Sequence, residues 1–241
     1  MRPLRPAVRP CLAALLLFAA LLPTAAPAQE AEECVVGNRQ SPIVLGPPFT
    51  ERDTVTLSVD YPVQNGTFMF NTGLQLQVNF PESSAWLQVG ARRYRLVEFH
   101  FHYPVEHRLA AGGLPGEVEI HFVHADGPAK AVLATFVRIE GSNATPWMPV
   151  LGRLPAPGDT IRNLAPLDLR AMLVLTNLAA EPVYRYDGSL TTPAYCEGVA
   201  WVVRQRSIRW SQAQREALER VTPQLRRLPM PRHGRPLHRR N

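Results

Sequence analysis

Turn-forming segments recur along this chain at short intervals, and their spacing limits the length of the elements between them. They include GPP, QNG, NTG, AGGLPG, DGPAK and YDGS. The runs between them either alternate apolar with polar residues, as at 74–80 and 117–125, or are apolar almost throughout, as at 131–139. Alternation with a period of two is typical of strands with one buried face, and short apolar runs are typical of strands buried on both faces. The sequence therefore predicts one β-rich domain over residues 30–241.

Two segments interrupt this pattern and predict helices. SQAQREALERV, residues 211–221, has a helical spacing of apolar residues and begins with Ser211, which is suited to be the N-cap. PLDLRAMLV, residues 166–174, predicts a second, shorter helix.

The N-terminal residues differ from the rest of the chain in composition. Three arginines precede an apolar run at 11–22, and small residues ending at Ala28 follow it. This order is typical of a secretory signal peptide, so we expect cleavage after about Ala28 and export to the periplasm or beyond the cell. The apolar run is shorter than the roughly 20 residues that span a bilayer, although a retained anchor stays an alternative. No other segment predicts a membrane span.

The net charge argues against a nucleic-acid partner. The formal charge is +6, and it falls to +3 without residues 1–28, because that segment holds three arginines and no acid. Much of the remaining positive charge lies in the C-terminal residues 226–241, which leaves no basic stripe over the domain. We expect this tail to be a solvated end, with binding to a polyanion or a surface as the alternative.

Two cysteines remain after the predicted cleavage, Cys34 and Cys196, since Cys11 belongs to the signal peptide. An even number of cysteines in an exported chain predicts a disulfide. Such a bond would close a loop of about 160 residues and stabilise the fold by about 4–5 kcal/mol in the chain-entropy description.

The densest group of metal-binding side chains is EFHFHYPVEH, residues 98–107. Because side chains alternate in a strand, Glu98, His100 and His102 share one face. A His-x-His pair by itself is more often a pair of packed or exposed imidazoles than a metal site.

A second predicted strand carries another histidine with an acid two residues before it. Glu119, His121 and Val123 share one face, and the glycine-rich segment 110–116 could reverse the chain between the two strands. An antiparallel pair would bring His121 beside His100 and His102, and three imidazoles with one open position form the ligand set of a catalytic zinc site. The nearby acids, Glu98 and Glu119, could accept the N–H of the nitrogen that does not bind metal. The other histidines are expected to be structural or ordinary tail residues: His107, His124, His233 and His238.

These strands resemble the zinc strands of the α-class carbonic anhydrases, QFHFH…SEH…E-x-HLVH. Three further segments resemble family motifs in the same order: NRQSPIVL at 38–45, NTGLQLQVNF at 71–80 and YRYDGSLTTPAYCEGVAW at 184–201. The resemblance covers about residues 34–240. It implies one domain with a central twisted, mostly antiparallel sheet and short peripheral helices. It also implies reversible hydration of CO2 to bicarbonate and a proton, with Zn²⁺ as the cofactor.

The resemblance also implies roles for single residues. The metal ligands correspond to His100, His102 and His121. Thr191 corresponds to the hydroxyl that orients the attacking oxygen toward CO2 and donates a hydrogen bond to a buried glutamate, here Glu106. The implied substrate-binding residues are Thr192 on the bicarbonate side and an apolar CO2 pocket of Val123, Val132, Leu190, Val199 and Trp201.

The chain departs from the family pattern in four places. Leu74 occupies the position of the proton-shuttle histidine. The aromatic-rich N-terminal arm is missing. Glu98 stands where many members have glutamine, and Cys196 lies one residue later than the family cysteine, so the expected disulfide involves a shift in register. We therefore expect proton release to limit turnover.

Two alternatives stay open at this stage. The first is a cupin-type metalloenzyme, because HFHYPVE at 100–106 fits part of a cupin motif with Glu106 as a ligand. That motif expects glycine at the position of Tyr94, and its second half is absent around His121. The second alternative is a low-activity or non-catalytic carbonic-anhydrase-related binding protein, although such relatives commonly lose a zinc histidine and this chain keeps all three.

Overall fold

The computed structural model describes residues 34–50, 53–142 and 144–241. The predicted signal peptide, residues 1–28, lies outside the described residues. No helix within them is long and apolar enough to cross a membrane. The strands are β1 Val44–Leu45, β2 Leu57–Asp60, β3 Phe68–Asn71, β4 Leu76–Asn79, β5 Trp86–Val89, β6 Arg92–His102, β7 Arg108–Leu109, β8 Val118–Asp126, β9 Ala129–Ile139, β10 Thr160–Arg162, β11 Val183–Ser189, β12 Glu197–Trp210 and β13 His238–Arg240. The helices are α1 Met148–Leu151, α2 Leu169–Leu173 and α3 Gln212–Val221, with 3-10 turns at Thr145–Trp147 and Leu178–Ala180.

One large sheet organises the chain. Its order is β10-β3-β4-β6-β8-β9-β12-β11-β13, and β5 and β2 extend it beside β6. Neighbouring strands are antiparallel except β9 and β12, which run parallel. The short strands β1 and β7 form a separate parallel pair. The predicted mainly β fold, with one mostly antiparallel sheet and short peripheral helices, is confirmed.

The register of β6 and β8 positions the histidines. His100 lies opposite His121, and Phe99 lies opposite Phe122. The phenylalanine face packs into the main hydrophobic core, where Phe99 contacts Trp147 edge to face at 5.7 Å between ring centroids. A buried aromatic layer on one face fixes which way the alternate residues point, so the histidines share the other face.

Both predicted helices form, and each begins at a side-chain cap. The Ser211 hydroxyl accepts from the backbone N–H of Gln214, whose side chain in turn accepts from the Ser211 N–H. This reciprocal pair satisfies two donors that an uncapped helix would leave open. Asp168 caps α2, which ends before Val174 in a left-handed conformation, so this helix is shorter than the predicted span.

The expectation of a solvated C-terminal end is wrong. Strand β13 pairs with β11 at the edge of the large sheet, and Leu237 is fully buried. The guanidinium of Arg235 is also buried and donates to the backbone carbonyls of Gln40 and Asp187. These contacts make the basic tail part of the fold. Of its two histidines, His238 lies in β13, and His233 lies in an exposed turn.

The predicted disulfide joins Cys34 to Cys196 with an S–S distance of 2.05 Å. Cys34 lies six residues before Gln40, and Cys196 directly follows the 191–195 loop. The bond ties the N-terminal end of the described chain to the loop that carries Thr191.

Candidate active site

Strands β6 and β8 bring three histidines together. His100, His102 and His121 each offer a ring nitrogen, and these ligand atoms all lie within 4.8 Å of one another. All three side chains are buried. Alternation along β6 sets the first two on one face, and the cross-strand pairing of β8 adds the third.

Carboxylates orient two of these rings. His100 Nδ1 donates to Glu98, whose two oxygens both lie 2.9 Å away. His121 Nε2 donates to Glu119 Oε1 at 2.9 Å. The nitrogens left for a metal are therefore Nε2 of His100 and Nδ1 of His121, as expected when an outer carboxylate fixes the tautomer of a ligating histidine.

Two ring nitrogens at this point have no hydrogen-bond partner. They are Nε2 of His100 and Nε2 of His102, and both are buried. Unpaired polar atoms are rare in protein interiors because each costs free energy. Two such atoms lie on neighbouring imidazoles beside the imidazole of His121. This arrangement suits a metal ion better than it suits an apolar core.

The protonation state of the rings also suits a metal. Burial, together with the neighbouring His121 and His100, holds the pKa of His102 well below its usual value. Burial lowers the pKa of His121 to about 4. Neutral imidazoles are the form that binds metal, so at neutral pH no proton has to be displaced from His102 or His121.

Glu119 connects His121 to a wider polar network. Its Oε2 accepts the backbone N–H groups of Glu106 and His107, each at 2.9 Å, and its Oε1 lies 2.6 Å from His107 Nδ1. Burial alone would raise the pKa of Glu119, but interactions with His107 and His121 outweigh it and hold this pKa well below the usual range. His107 continues to the Tyr186 hydroxyl at 2.7 Å, in agreement with its predicted structural role.

His124 lies on the opposite face of β8, away from the other histidines. Its Nε2 is 2.8 Å from the Tyr61 hydroxyl. Burial lowers the pKa of His124 to about 3. It is a neutral, buried residue of the core side of the sheet, again in agreement with the predicted structural role.

Glu106 and Thr191 lie beside the histidine cluster. Glu106 is almost fully buried, and its Oε1 is 3.3 Å from His102 Nδ1. Burial and the neighbouring Glu119 raise the pKa of Glu106 to about 8, and the Arg227 amide and the nearby Thr191 side chain oppose this rise. The Arg227 N–H donates to Glu106 Oε1 at 2.7 Å.

Arg227 is the residue near the site that sequence reasoning missed. It lies 121 positions from Glu106 in sequence, and it belongs to the basic segment that was expected to be a solvated end. No local pattern distinguishes it from the adjacent Arg226, which is exposed.

The predicted apolar residues gather on the histidine side of the sheet. Val123 lies opposite Val132 in the β8–β9 pairing, and Trp201 lies opposite Val132 in the β9–β12 pairing. The indole of Trp201 contacts the His121 ring edge to face at 4.9 Å. Four of the predicted pocket residues belong to one buried hydrophobic cluster, and the partly buried Leu190 packs against it: the four are Val123, Val132, Val199 and Trp201.

A cleft of about 700 Å³ opens over the site. Its lining includes Thr192 and the buried side chains of His102, Glu106 and Thr191. Leu74 lines the same cleft with 70% of its surface exposed. Thr72, Gln75 and Phe101 also line the cleft. The remaining lining comes from the loop after Thr192 and from the segment after α3: Pro193, Tyr195, Thr222, Pro223, Leu225, Arg226, Arg227, Leu228 and Met230.

Known proteins share this fold and these segments. The family model of eukaryotic-type carbonic anhydrases matches residues 25–241. A carbonic anhydrase of Neisseria gonorrhoeae is 29% identical over 199 residues, which cover 80% of this chain and 73% of that protein. One from Nostoc sp. is 30% identical over 196 residues, covering 79% and 72%.

A solved structure supports the same assignment. The α-carbonic anhydrase of Photobacterium profundum superimposes with a TM-score of 0.74 at 31% identity, covering 83% of this chain and 89% of that one. The chain belongs to the α-carbonic anhydrase family, whose activity is that of a carbonate dehydratase.

Proposed function

We propose that this chain catalyses the reversible hydration of CO2 with zinc held by His100, His102 and His121. The observation that carries the proposal is the pair of buried, unpartnered nitrogens on His100 and His102, within 4.8 Å of a nitrogen of His121. Three neutral imidazoles form the donor set of catalytic zinc sites in hydratases. When bound, zinc supplies Lewis acidity and lowers the pKa of water to about 7, a value already established for carbonic anhydrase itself.

The residues around the ligands orient the reaction. Glu98 and Glu119 fix the ring orientation of His100 and His121. The Arg227 amide occupies Glu106 Oε1, while the buried Oε2 has no hydrogen-bond partner and can accept from the Thr191 hydroxyl. A Thr191 hydroxyl that donates to Glu106 has its oxygen lone pairs left to accept a hydrogen bond from the attacking water. Such fixed hydrogen bonds contribute to catalysis because they need no reorganisation during the reaction.

The apolar residues beside His121 suit the substrate. CO2 is linear and nonpolar, and we propose that it binds against Val123, Val132, Leu190, Val199 and Trp201. An apolar wall also excludes competing water from the attacked carbon. We propose that Thr192 binds bicarbonate through its hydroxyl and backbone.

A second candidate function is a binding protein of low or no activity on the same fold. The observation that favours it is Leu74, an apolar and exposed side chain at the cleft where the family has a proton acceptor. Membership of the carbonic anhydrase family removes the cupin hypothesis.

Zinc content and CO2 hydration, measured on the same preparation, test the proposal. We expect about one zinc per chain and CO2 hydration above the uncatalysed rate in a stopped-flow assay. A folded preparation with one zinc per chain and no activity would instead support the binding-protein alternative.

We also propose that the chain is exported. The arginines and apolar run of residues 1–28 support this, as does the Cys34–Cys196 disulfide, because disulfides persist in oxidising compartments. The mass of the protein recovered from its native cells should match a chain beginning near Gln29. A mass that includes residue 1 would contradict cleavage.

The carboxylate of Glu98 is expected to raise the pKa of a water bound to the zinc, and this pKa would set the midpoint of the pH–rate profile. A carboxylate makes His100 a more basic ligand than an amide would, and more basic ligands weaken the Lewis acidity of zinc. Glu98→Gln should therefore move the midpoint of the kcat/KM profile to lower pH, with zinc content near one per chain. The exposed Glu82 provides the control Glu82→Gln. A Glu98→Gln profile that superimposes on wild type, or moves upward, would contradict the expected role.

Proton release is expected to limit turnover because Leu74 cannot accept a proton. Among the described residues that line the cleft, the one histidine is His102, which we assign to the metal. The kcat should rise with the concentration of an imidazole-type buffer, whereas kcat/KM, which reports the attack on CO2, should change little. Stopped-flow assays over a range of buffer concentrations check this.

The substitution Leu74→His extends that test. The exposed side chain at the cleft leaves room for an imidazole with a pKa near 6.5. We expect a higher kcat at low buffer concentration and no change from the control Leu114→His, whose leucine is exposed and not among the cleft-lining residues. A wild-type kcat that is independent of buffer would refute limitation by proton release.

A further inference from the structure

Arg227 is joined to the site through its backbone and to the surrounding scaffold through its side chain. Its amide donates to Glu106 Oε1 at 2.7 Å. Its guanidinium Nη1 donates to Gln40 Oε1 and to the Ser41 carbonyl, each at 2.8 Å. The same guanidinium lies over the Tyr195 ring, 4.0 Å from the ring centroid. One residue thus contacts the buried glutamate, the 40–41 segment and the loop that follows Thr191.

The partners of the guanidinium are themselves anchored. The Ser41 amide donates to Ser189 Oγ at 2.9 Å, and the Gln40 side-chain amide donates to Glu197 at 2.8 Å. Tyr195 directly precedes Cys196, whose disulfide ties this loop to Cys34. A guanidinium whose Nη1 donates to two acceptors and which also lies over an aromatic ring has little freedom to move.

The backbone around Arg227 has little support of its own. No helix or strand includes residues 222–237. Close to Arg227, the Met230 amide donates to the Pro42 carbonyl and the Leu225 amide to the Pro223 carbonyl. Without a hydrogen-bonded ladder, the direction of the Arg227 amide depends strongly on where its side chain is held.

We propose that Arg227 is a positioning residue: its guanidinium, held between Tyr195 and the 40–41 segment, aims its amide at Glu106 and thereby orients Thr191. The inference rests on the proposed function of Thr191 and Glu106. The Arg227 amide occupies Oε1, so the carboxylate keeps one orientation and presents Oε2 to Thr191. A loosened side chain would let the carboxylate rotate, and misoriented groups lose rate even when every reacting atom is present.

Substitutions at Arg227 test the proposal on the zinc-loaded protein. Arg227→Met keeps the length of the stem and the backbone N–H but removes the guanidinium. We expect kcat/KM for CO2 hydration to fall by about tenfold with one zinc per chain. Arg227→Lys should recover only part of the loss, because a compact ammonium cannot cover the Tyr195 ring as the planar guanidinium does. The matched control is Arg153→Met, which removes the same charge from an exposed arginine that does not line the cleft, and it should leave kcat/KM unchanged.

A double-mutant cycle separates positioning from general destabilisation. If Arg227 acts through Thr191, Arg227→Met should change kcat/KM by less than about twofold in a Thr191→Ala background. A tenfold loss in both backgrounds, or no loss in either, would overturn the proposal. A loss of kcat/KM that is explained by a matching loss of bound zinc would also overturn the proposal.

The aromatic partner gives an independent set of variants, which also serves if Arg227→Met does not fold. Tyr195→Phe keeps the ring under the guanidinium, whereas Tyr195→Leu removes it, so kcat/KM should be clearly lower in Tyr195→Leu than in Tyr195→Phe. Equal kcat/KM for these two variants would contradict a role for the stacked pair.

Hydrogen exchange supplies a measurement that does not need activity. In the metal-free protein, the amide at position 227 should exchange faster in Arg227→Met and Tyr195→Leu than in wild type and in Arg153→Met. Unchanged exchange would overturn the proposal. A wild-type protein without CO2 hydration would refute the proposed function, and the exchange rates would still decide whether the side chain holds the amide.

Discussion

His102→Ala is expected to abolish stable zinc binding and to reduce CO2 hydration more than any substitution around the ligands. Residues that orient metal ligands typically contribute about 10- to 100-fold to metal affinity or activity, and the loss of a ligand should exceed that. His102 has its Nε2 buried without a partner, so its replacement removes one of the three nitrogen donors of the cluster. Zinc content after dialysis and stopped-flow hydration would measure both effects.

The control for this substitution is His233→Asn. His233 is exposed and lies in a turn with a positive φ of 49°, a conformation that asparagine tolerates. This variant should keep one zinc per chain and full activity. If His102→Ala retained one zinc per chain and wild-type hydration, the assignment of the metal to this cluster would be wrong.

Thr191→Ala is expected to lower CO2 hydration by about 100-fold while zinc content stays near one per chain. The substitution removes one preorganised hydrogen bond at the attacking water, and losses of this kind reach about 10²–10³. It leaves the three histidines and their carboxylates untouched, so metal uptake should not change. Kinetics and zinc analysis on the same sample distinguish these two effects.

Thr160→Ala is a suitable control for Thr191→Ala, because Thr160 is exposed on the edge strand β10. It should leave hydration unchanged. Full activity in Thr191→Ala would show that the threonine has no orienting role, whereas a parallel loss of zinc would make it a contributor to metal binding.

The histidine cluster could be anticipated from the sequence because it depends on a short-range rule. Side-chain alternation puts His100 and His102 on one face, and a single antiparallel pairing adds His121. The α3 cap at Ser211 was predictable for the same reason, since the capping partner Gln214 lies three residues away.

The role of the C-terminal segment could not be anticipated, because it depends on contacts between distant parts of the chain. Composition does not distinguish a solvated arginine from Arg235, which is buried among backbone carbonyls. The pairing of β13 with β11 likewise depends on where the edge of the large sheet lies, and the local sequence of the tail does not show this. The contact of Arg227 with Glu106 joins an irregular segment to a buried carboxylate, and no periodicity marks it.

Titration of the metal-free protein with zinc, followed by CO2 hydration at each step, tests the central claim most directly. The proposed function predicts that activity rises in proportion to added zinc and reaches a plateau at one zinc per chain, with magnesium unable to replace it, because three imidazoles suit zinc and not a cation that prefers oxygen ligands. Zinc that binds at one per chain while hydration stays at the uncatalysed rate would contradict it.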